Sequence, residues 1–295
     1  MPLPPAANAV IAVFAFVLGT VVGSFLNVCI WRMPRNESIV RPPSHCPRCD
    51  TRLTLLDLVP LVSFLALGRK CRHCGAPISW RYFVVETVTG LTFLAVWLTH
   101  GLHLDTLAFF AFAAILVGVF FVEIQPDPEV PGEMAMIIPN EFVVAGLVVG
   151  VLRDAVGLAL GKPFGIDIPL TSVYLLIPES IAGIVLGAVV FILIDLFSRL
   201  LFRKEGMGLG DVKLGAAIGA VLGPWAALVS FAGAVALGAV IGVGLMIVRV
   251  RKRDQYIPFG PMMAVSAFVV SLWPAHVVVD RVIVWWLGWA GGAGG

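Results

Sequence analysis

The stretch Val10–Ile30, VIAVFAFVLGTVVGSFLNVCI, is 21 residues long and carries no charged side chain. A bilayer's hydrocarbon core takes about 20 consecutive apolar residues to cross as a helix, so this run reads as a membrane span. It has no basic segment before it and ends at Arg32 rather than at a small-residue cleavage site, so it reads as a retained span and not as a removable signal peptide. The rest of the chain follows the same pattern. Of 295 residues, 59% are hydrophobic and 13% charged, more apolar surface than a water-soluble globule can bury. Further apolar runs fall at about Tyr82–His100, Leu104–Ile124, Met136–Leu152, Val173–Phe202, Val212–Leu222, Ala226–Val248 and Gly260–Val279. The expectation is an all-α polytopic membrane protein with about eight transmembrane helices. Val282–Ala290 is too short to cross and is expected in the interface. Val212–Leu222 is also short and rich in Gly and Ala, which predicts close helix packing or a helix broken near a site.

The net charge of +2 matters less than where the charges sit. Lys and Arg are retained on the cytoplasmic side of short loops. With the first span entering from outside, Arg32 to Arg81, Arg199 to Lys204, Lys213 and Arg249 to Arg253 are cytoplasmic, leaving Arg153, Lys162 and Arg281 outside. The lipid bilayer is thus an expected partner, and no nucleic-acid partner is expected.

Between the first two spans lies a polar loop with Cys46-Pro47-Arg48-Cys49 and Cys71-Arg72-His73-Cys74. Two CxxC pairs about 20 residues apart match a four-thiolate zinc site, each pair forming one knuckle. Two disulfides are the alternative, disfavoured in a reducing cytoplasm. Four protein ligands leave no open position, so the expected zinc is structural. His45 and His73 are read as bystanders and Cys29 as a packing residue. The expected domains are residues 1–31, the first span; 32–81, a small cytoplasmic zinc-binding loop domain; and 82–295, a transmembrane core.

An acidic residue in or beside a span is costly, which makes it a functional candidate. Glu86, Glu123, Asp195 and Asp211 qualify, with Asp127, Glu129 and Glu133 just after the third run. Asp211 ends the sequence Gly206-Met207-Gly208-Leu209-Gly210-Asp211. Glycines there let a substrate backbone approach closely. A helix N-cap explains the same residue almost as well. Aspartyl catalysis also needs a second carboxylate, so that one acid is ionised and the other protonated. Glu123, at the end of Phe120-Phe121-Val122-Glu123, and Asp127 are the candidates, against span-end snorkelling and a solvated turn as their alternatives. Lys213 reads as a cytoplasmic anchor or as a substrate-side cation.

Four stretches together resemble the type IV prepilin peptidases, membrane aspartyl proteases of the GxGD class: Gly23-Ser24-Phe25-Leu26-Asn27-Val28 with Trp31-Arg32-Met33-Pro34, the paired CxxC loop, Gly206 to Leu214, and Pro258-Phe259-Gly260-Pro261. The resemblance implies a bacterial inner-membrane enzyme with its active site facing the cytoplasm. It implies cleavage of the basic leader from prepilins or pseudopilins that carry a hydrophobic N-terminal helix, in many members followed by N-methylation from S-adenosylmethionine. Asp211 matches the second catalytic aspartate of that family. Gly208, Gly210, Lys213, Gly23, Asn27, Pro258 and Gly260 fall in stretches expected near substrate or cofactor. The first aspartate departs from the pattern. In the family it precedes an Ile-Pro-Asp or Ile-Pro-Asn element, here Ile138-Pro139-Asn140. Counting from the span end puts Glu123 in its place, and counting back from Ile138 puts Gly132 there, beside Glu133. Glu123 as partner, Asp127 as partner, and a cleavage-impaired methyltransferase or substrate-binding variant all stay open, with Glu123 preferred. A proton- or cation-coupled transporter using Asp195, Asp211 and Glu123 is the reading from another class, disfavoured because no internal repeat is visible.

Overall fold

Arg32 ends the first helix and Trp80 begins the next long one, so the loop with four cysteines hangs between two apolar rods. The computed structural model describes residues 4–126, 134–162, 165–168, 174–203, 207–247, 258–273 and 277. The chain forms two compact units, Met1–Ala135 and Met136–Gly295.

In the first unit, α1 (Pro5–Arg32), α3 (Trp80–His100) and α4 (Asp105–Glu123) pack together, with α1 against α3 as the main contact. Proline at the first turn starts α1 without wasting an amide. Ser79 caps α3 by accepting a hydrogen bond from the Arg81 amide at 3.3 Å. Gly19 and Gly23 let the two backbones approach: a Cβ on Gly19 would lie 2.6 Å from the Thr89 carbonyl oxygen, and one on Gly23 2.8 Å from the Glu86 Cα. Gly101, at φ 60°, turns the chain from α3 into α4. The short helix α2 (Val62–Ala66) lies within the cysteine loop.

In the second unit, α5 (Asn140–Ala159), α6 (Glu179–Phe202), α8 (Pro224–Ile247) and α9 (Gly260–Ser271) surround α7 (Leu209–Leu222), whose residues from Leu214 onward are buried. Strand β1 (Ile166–Asp167) pairs antiparallel with β2 (Tyr174–Leu175) between α5 and α6. The closest packing is between α6 and α7. Gly183 faces Gly219 and Gly187 faces Gly215: a Cβ on Gly183, Gly187 or Gly219 would run into the carbonyl group of the facing glycine, and one on Gly215 into the Phe191 ring. Each pair has four-residue spacing, which puts both contacts on one helical face. This is the close packing expected of the Gly- and Ala-rich run.

Six described helices, α1, α3, α4, α5, α6 and α8, are long and apolar enough to cross a membrane. The chain is therefore a helical, multi-pass membrane protein with a cysteine cluster between its first long helices. Of the eight expected runs, the other two form shorter helices, α7 with 14 residues and α9 with 12. Two starts fall several residues later than the apolar pattern. Helix α5 begins at Asn140 and not Met136, and α6 at Glu179 and not Val173, because Pro139 and Pro178 occupy the cap positions. A residue before proline is pushed out of the helical region. The run Val282–Ala290 lies outside the described residues.

Candidate functional site

Each unit holds one candidate centre. In the first, the cysteine loop folds into two matching knuckles. The Cys46 amide donates to the Thr51 carbonyl at 3.0 Å and the Cys71 amide to the Ala76 carbonyl at 2.8 Å. The residue after each second cysteine takes positive φ, Asp50 at 56° and Gly75 at 68°. Each turn brings its two thiols together, and the two knuckles converge so that the four sulfurs lie within 4.8 Å of one another. Cys46 Sγ and Cys74 Sγ are 3.8 Å apart, the edge of a tetrahedron with metal–sulfur bonds of about 2.3 Å. All four cysteines are free of disulfides. The Thr51 hydroxyl beside Cys49 pulls that thiol down to about 6, and backbone hydrogen bonds from Cys74 and His73 lower Cys71. Both favour the thiolate that a metal requires. The cluster could hold one metal ion. His45 Nε2 turns to Asp50 at 3.7 Å rather than to the sulfurs, as expected of a bystander.

Beside this loop, the facing ends of α1, α3 and α4 carry polar groups. Asn27 is buried and donates from Nδ2 to the Gly23 carbonyl at 3.3 Å and the Tyr82 carbonyl at 3.2 Å. Gln125, just past α4, is also buried; it donates to the Ile30 carbonyl at 3.0 Å and accepts from Arg81 at 3.3 Å. Gln125 was not singled out by the sequence, since a lone glutamine after a span carries no charge signal. Glu123 is the last residue of α4 and only 3% exposed. Glu86 accepts from the Leu61 amide at 2.9 Å, tying the cysteine loop to α3.

The second centre is the start of α7. Gly208 occupies the N-cap and Asp211 the third helical position. The Asp211 carboxylate reaches back to accept from the Gly208 amide at 3.3 Å, the carboxylate half of a capping box, since the glycine at the N-cap has no side chain to return the bond. A carboxylate here also lies on the positive end of the helix dipole. Gly210 sits against Ile138, whose Cδ1 would be 3.4 Å from an added Cβ. Lys213 Nζ donates to Asn140 Oδ1 at 3.1 Å. The Ile138-Pro139-Asn140 element and the Gly208–Asp211 turn are thus neighbours. Asp195 anchors the turn from α6, accepting from the Met207 amide at 3.4 Å while pairing with Arg199 at 2.8 Å. Pro258 and Gly260, both buried, open α9, and the Phe259 ring between them stands 6.3 Å from that of Phe191 on α6. Asp127 and Gly206 lie outside the described residues.

The sequence model of the bacterial peptidase A24 N-terminal domain matches residues 17–100. That of the type IV leader peptidase family matches residues 134–243. A Myxococcus xanthus protein named prepilin leader peptidase/N-methyltransferase is 35% identical over 246 residues, which cover 83% of this chain and 66% of the relative. An Aeromonas hydrophila protein of the same name is 31% identical over 299 residues, 92% of each chain. One from Bacillus subtilis is 29% identical over 263 residues, 89% of this chain and 94% of its own. No solved structure is significantly similar. Likeness that runs through both units, and over nearly the whole of the Aeromonas relative, makes this chain a member of the type IV leader peptidase family.

Proposed function

We propose that the chain is a membrane aspartic peptidase that removes the leader from prepilins or pseudopilins, with Asp211 as one of its two acids. The supporting observation is the position of Asp211: a half-buried carboxylate in a glycine turn at the head of a buried helix. At 14 residues, α7 is about 21 Å long, less than the roughly 30 Å of the bilayer core. Asp211 at its end therefore belongs to a recess near the membrane boundary, where a substrate's extended segment meets water. The relatives' names supply the substrate class.

In this reaction one ionised carboxylate takes a proton from water as the oxygen attacks the scissile carbonyl. The other, protonated, acid hydrogen-bonds the carbonyl and stabilises the developing oxyanion. The proton taken from water then passes to the departing amine. Glu123 is the proposed partner, on its burial at the end of α4, with Asp127 as the second choice. Lys213, held by Asn140, is a positioning residue, and Gly208 and Gly210 leave room for the peptide backbone. Pro258 and Gly260 shape the α9 side of the same unit. The basic leader is matched to the cytoplasmic face, where most Lys and Arg of the connectors fall, and the enzyme is assigned to the bacterial inner membrane. The four cysteines would hold a structural zinc that closes residues 32–81 into a module. N-methylation from S-adenosylmethionine, after cleavage, is assigned to the Gly23 and Asn27 region on the relatives' names and the buried amide of Asn27.

The test is a detergent-purified chain mixed with a peptide carrying a basic leader, Gly before the cleavage point and a hydrophobic helix after it. Cleavage after that Gly is expected. Glu123→Gln should abolish it while Glu123→Asp keeps or raises it; loss with Asp127→Asn and not with Glu123→Gln would move the partner to Asp127.

A further inference from the structure

The cysteine loop contains a feature that neither the metal cluster nor the peptidase reaction uses. Between the two knuckles runs Leu55-Leu56-Asp57-Leu58-Val59-Pro60-Leu61-Val62-Ser63-Phe64-Leu65. In a solvated loop its apolar side chains would turn inward. Here Phe64 does so, with its ring 5.2 Å from those of Trp80 and Phe83 on α3. Four others face out: Leu55 is 86% exposed, Leu56 69%, Val62 61% and Leu65 64%. Val62 and Leu65, three residues apart on α2, share one face.

The position of this segment explains the exposure. The Leu61 amide donates to the Glu86 carboxylate at 2.9 Å. Glu86 is six residues inside α3, about 9 Å along the helix from Trp80. The Phe64 ring packs lower, against Trp80 and Phe83 in the first turn of α3, so the segment is held along α3 from its start to Glu86. The segment therefore lies alongside the membrane-crossing part of α3, not beyond its end. Trp31 and Trp80, exposed at the ends of α1 and α3, mark the level where aromatic rings sit between water and lipid.

Charge complements this arrangement. Residues 32–81 hold nine Lys or Arg against three Asp or Glu, and a divalent metal with four thiolates would still leave an excess of positive charge. Two of the cations flank the apolar segment: Arg72 pairs with Asp57 at 2.9 Å, and the Arg69 guanidinium lies 5.4 Å over the Trp80 ring. Apolar side chains bordered by cations fit an anionic bilayer surface.

We infer that residues 55–66 form an interfacial element that inserts Leu55, Leu56, Val62 and Leu65 into the leaflet next to the loop, with anionic headgroups held by the loop's basic residues. The occupant is the lipid already covering α1 and α3, because the segment continues their apolar surface through the Glu86 anchor. The inference needs only that α1 and α3 cross the membrane, so it stands or falls independently of Asp211 and the peptidase reaction. Its consequence is that the metal-binding knuckles are held against the membrane at two points, the Glu86 anchor and the lipid.

The test places a photoreactive benzophenone amino acid at Leu56, at Leu65 or, as a control, at Asp50, in the full chain in nanodiscs of mixed phosphatidylglycerol and phosphatidylcholine. Size-exclusion chromatography checks that each variant stays folded. Irradiation should give lipid adducts by mass spectrometry at 56 and 65 and none at 50, with phosphatidylglycerol enriched at least about twofold over its share of the disc. Three outcomes overturn the inference: no lipid adduct at 56 and 65, cross-linked chain dimers in their place, or lipid adducts that disappear when a prepilin-like peptide is added. The last would assign the surface to substrate.

Discussion

Helices α6 and α7 meet through glycines, which makes the height of Asp211 sensitive to one methyl group. Consider Gly187→Ala. The new Cβ would fall on the Gly215 carbonyl, so the two backbones must separate by roughly 1 Å to restore ordinary contact. Helix propensity favours alanine by about 1 kcal/mol, while forced separation of a packed contact costs about 1–3 kcal/mol. Stability should therefore fall only slightly. Activity should fall much further, because Asp211 lies one turn from Gly215 and shares its helical face. A shift of about 1 Å at a catalytic group lowers the rate about 100-fold, equivalent to about 2.7 kcal/mol in the barrier. Gly146→Ala is the control: its Cβ would meet the Ala217 Cβ at 3.0 Å, a methyl on a methyl that can give by a few tenths of an ångström. Its expected loss is under about tenfold. The assay is kcat/KM for cleavage of the prepilin-like peptide in detergent, with thermal unfolding measured in parallel. Wild-type kcat/KM in Gly187→Ala, or a larger loss in Gly146→Ala, would refute the reasoning.

The metal assignment predicts about one zinc per purified chain, lost together in Cys46→Ser and Cys71→Ser, as measured by elemental analysis; a folded loop without metal would count against it. Glu86→Gln keeps an oxygen facing the Leu61 amide but removes its charge, so exchange of that amide with deuterium should quicken about tenfold, while metal content stays unchanged. Unaltered exchange would mean the carboxylate is not the anchor. Lys213→Met and Asn140→Ala remove the two ends of one 3.1 Å contact, so their losses in kcat/KM should not add in the double variant. Full additivity would show that they act separately.

The parts of this fold legible in the sequence are those set by one dominant force. Long apolar runs give α3 and α4 to within two residues and α1 to within five, since burial in lipid overrides local preference. The four cysteines announce their cluster by spacing alone. Boundaries shift from the apolar pattern where two signals compete. The run beginning at Met136 is apolar enough for a helix, but Pro139 delays the start to Asn140. Tyr174 and Leu175 belong to a hairpin because Pro178 separates them from α6. At the site, the sequence offered Asp211 as cap or catalyst. The structure shows its carboxylate accepting from the Gly208 amide, a geometry compatible with both roles. The links from Lys213 to Asn140 and from Met207 to Asp195 join residues 73 and 12 positions apart, and no local pattern encodes such pairs. The apolar segment 55–66 was also hidden, since its short run within a polar loop looks like ordinary loop packing until the exposure of Leu55 and Leu56 is seen.

The central claim is that Asp211 does chemistry and does not merely cap a helix. Asp211→Asn separates the two, because an asparagine oxygen can still accept the Gly208 amide but cannot hold or release a proton at this site. The account predicts that the purified variant keeps its thermal stability to within about 1 kcal/mol and loses cleavage of the prepilin-like peptide by at least about 1,000-fold. Cleavage at the wild-type rate by a folded Asp211→Asn protein would contradict it.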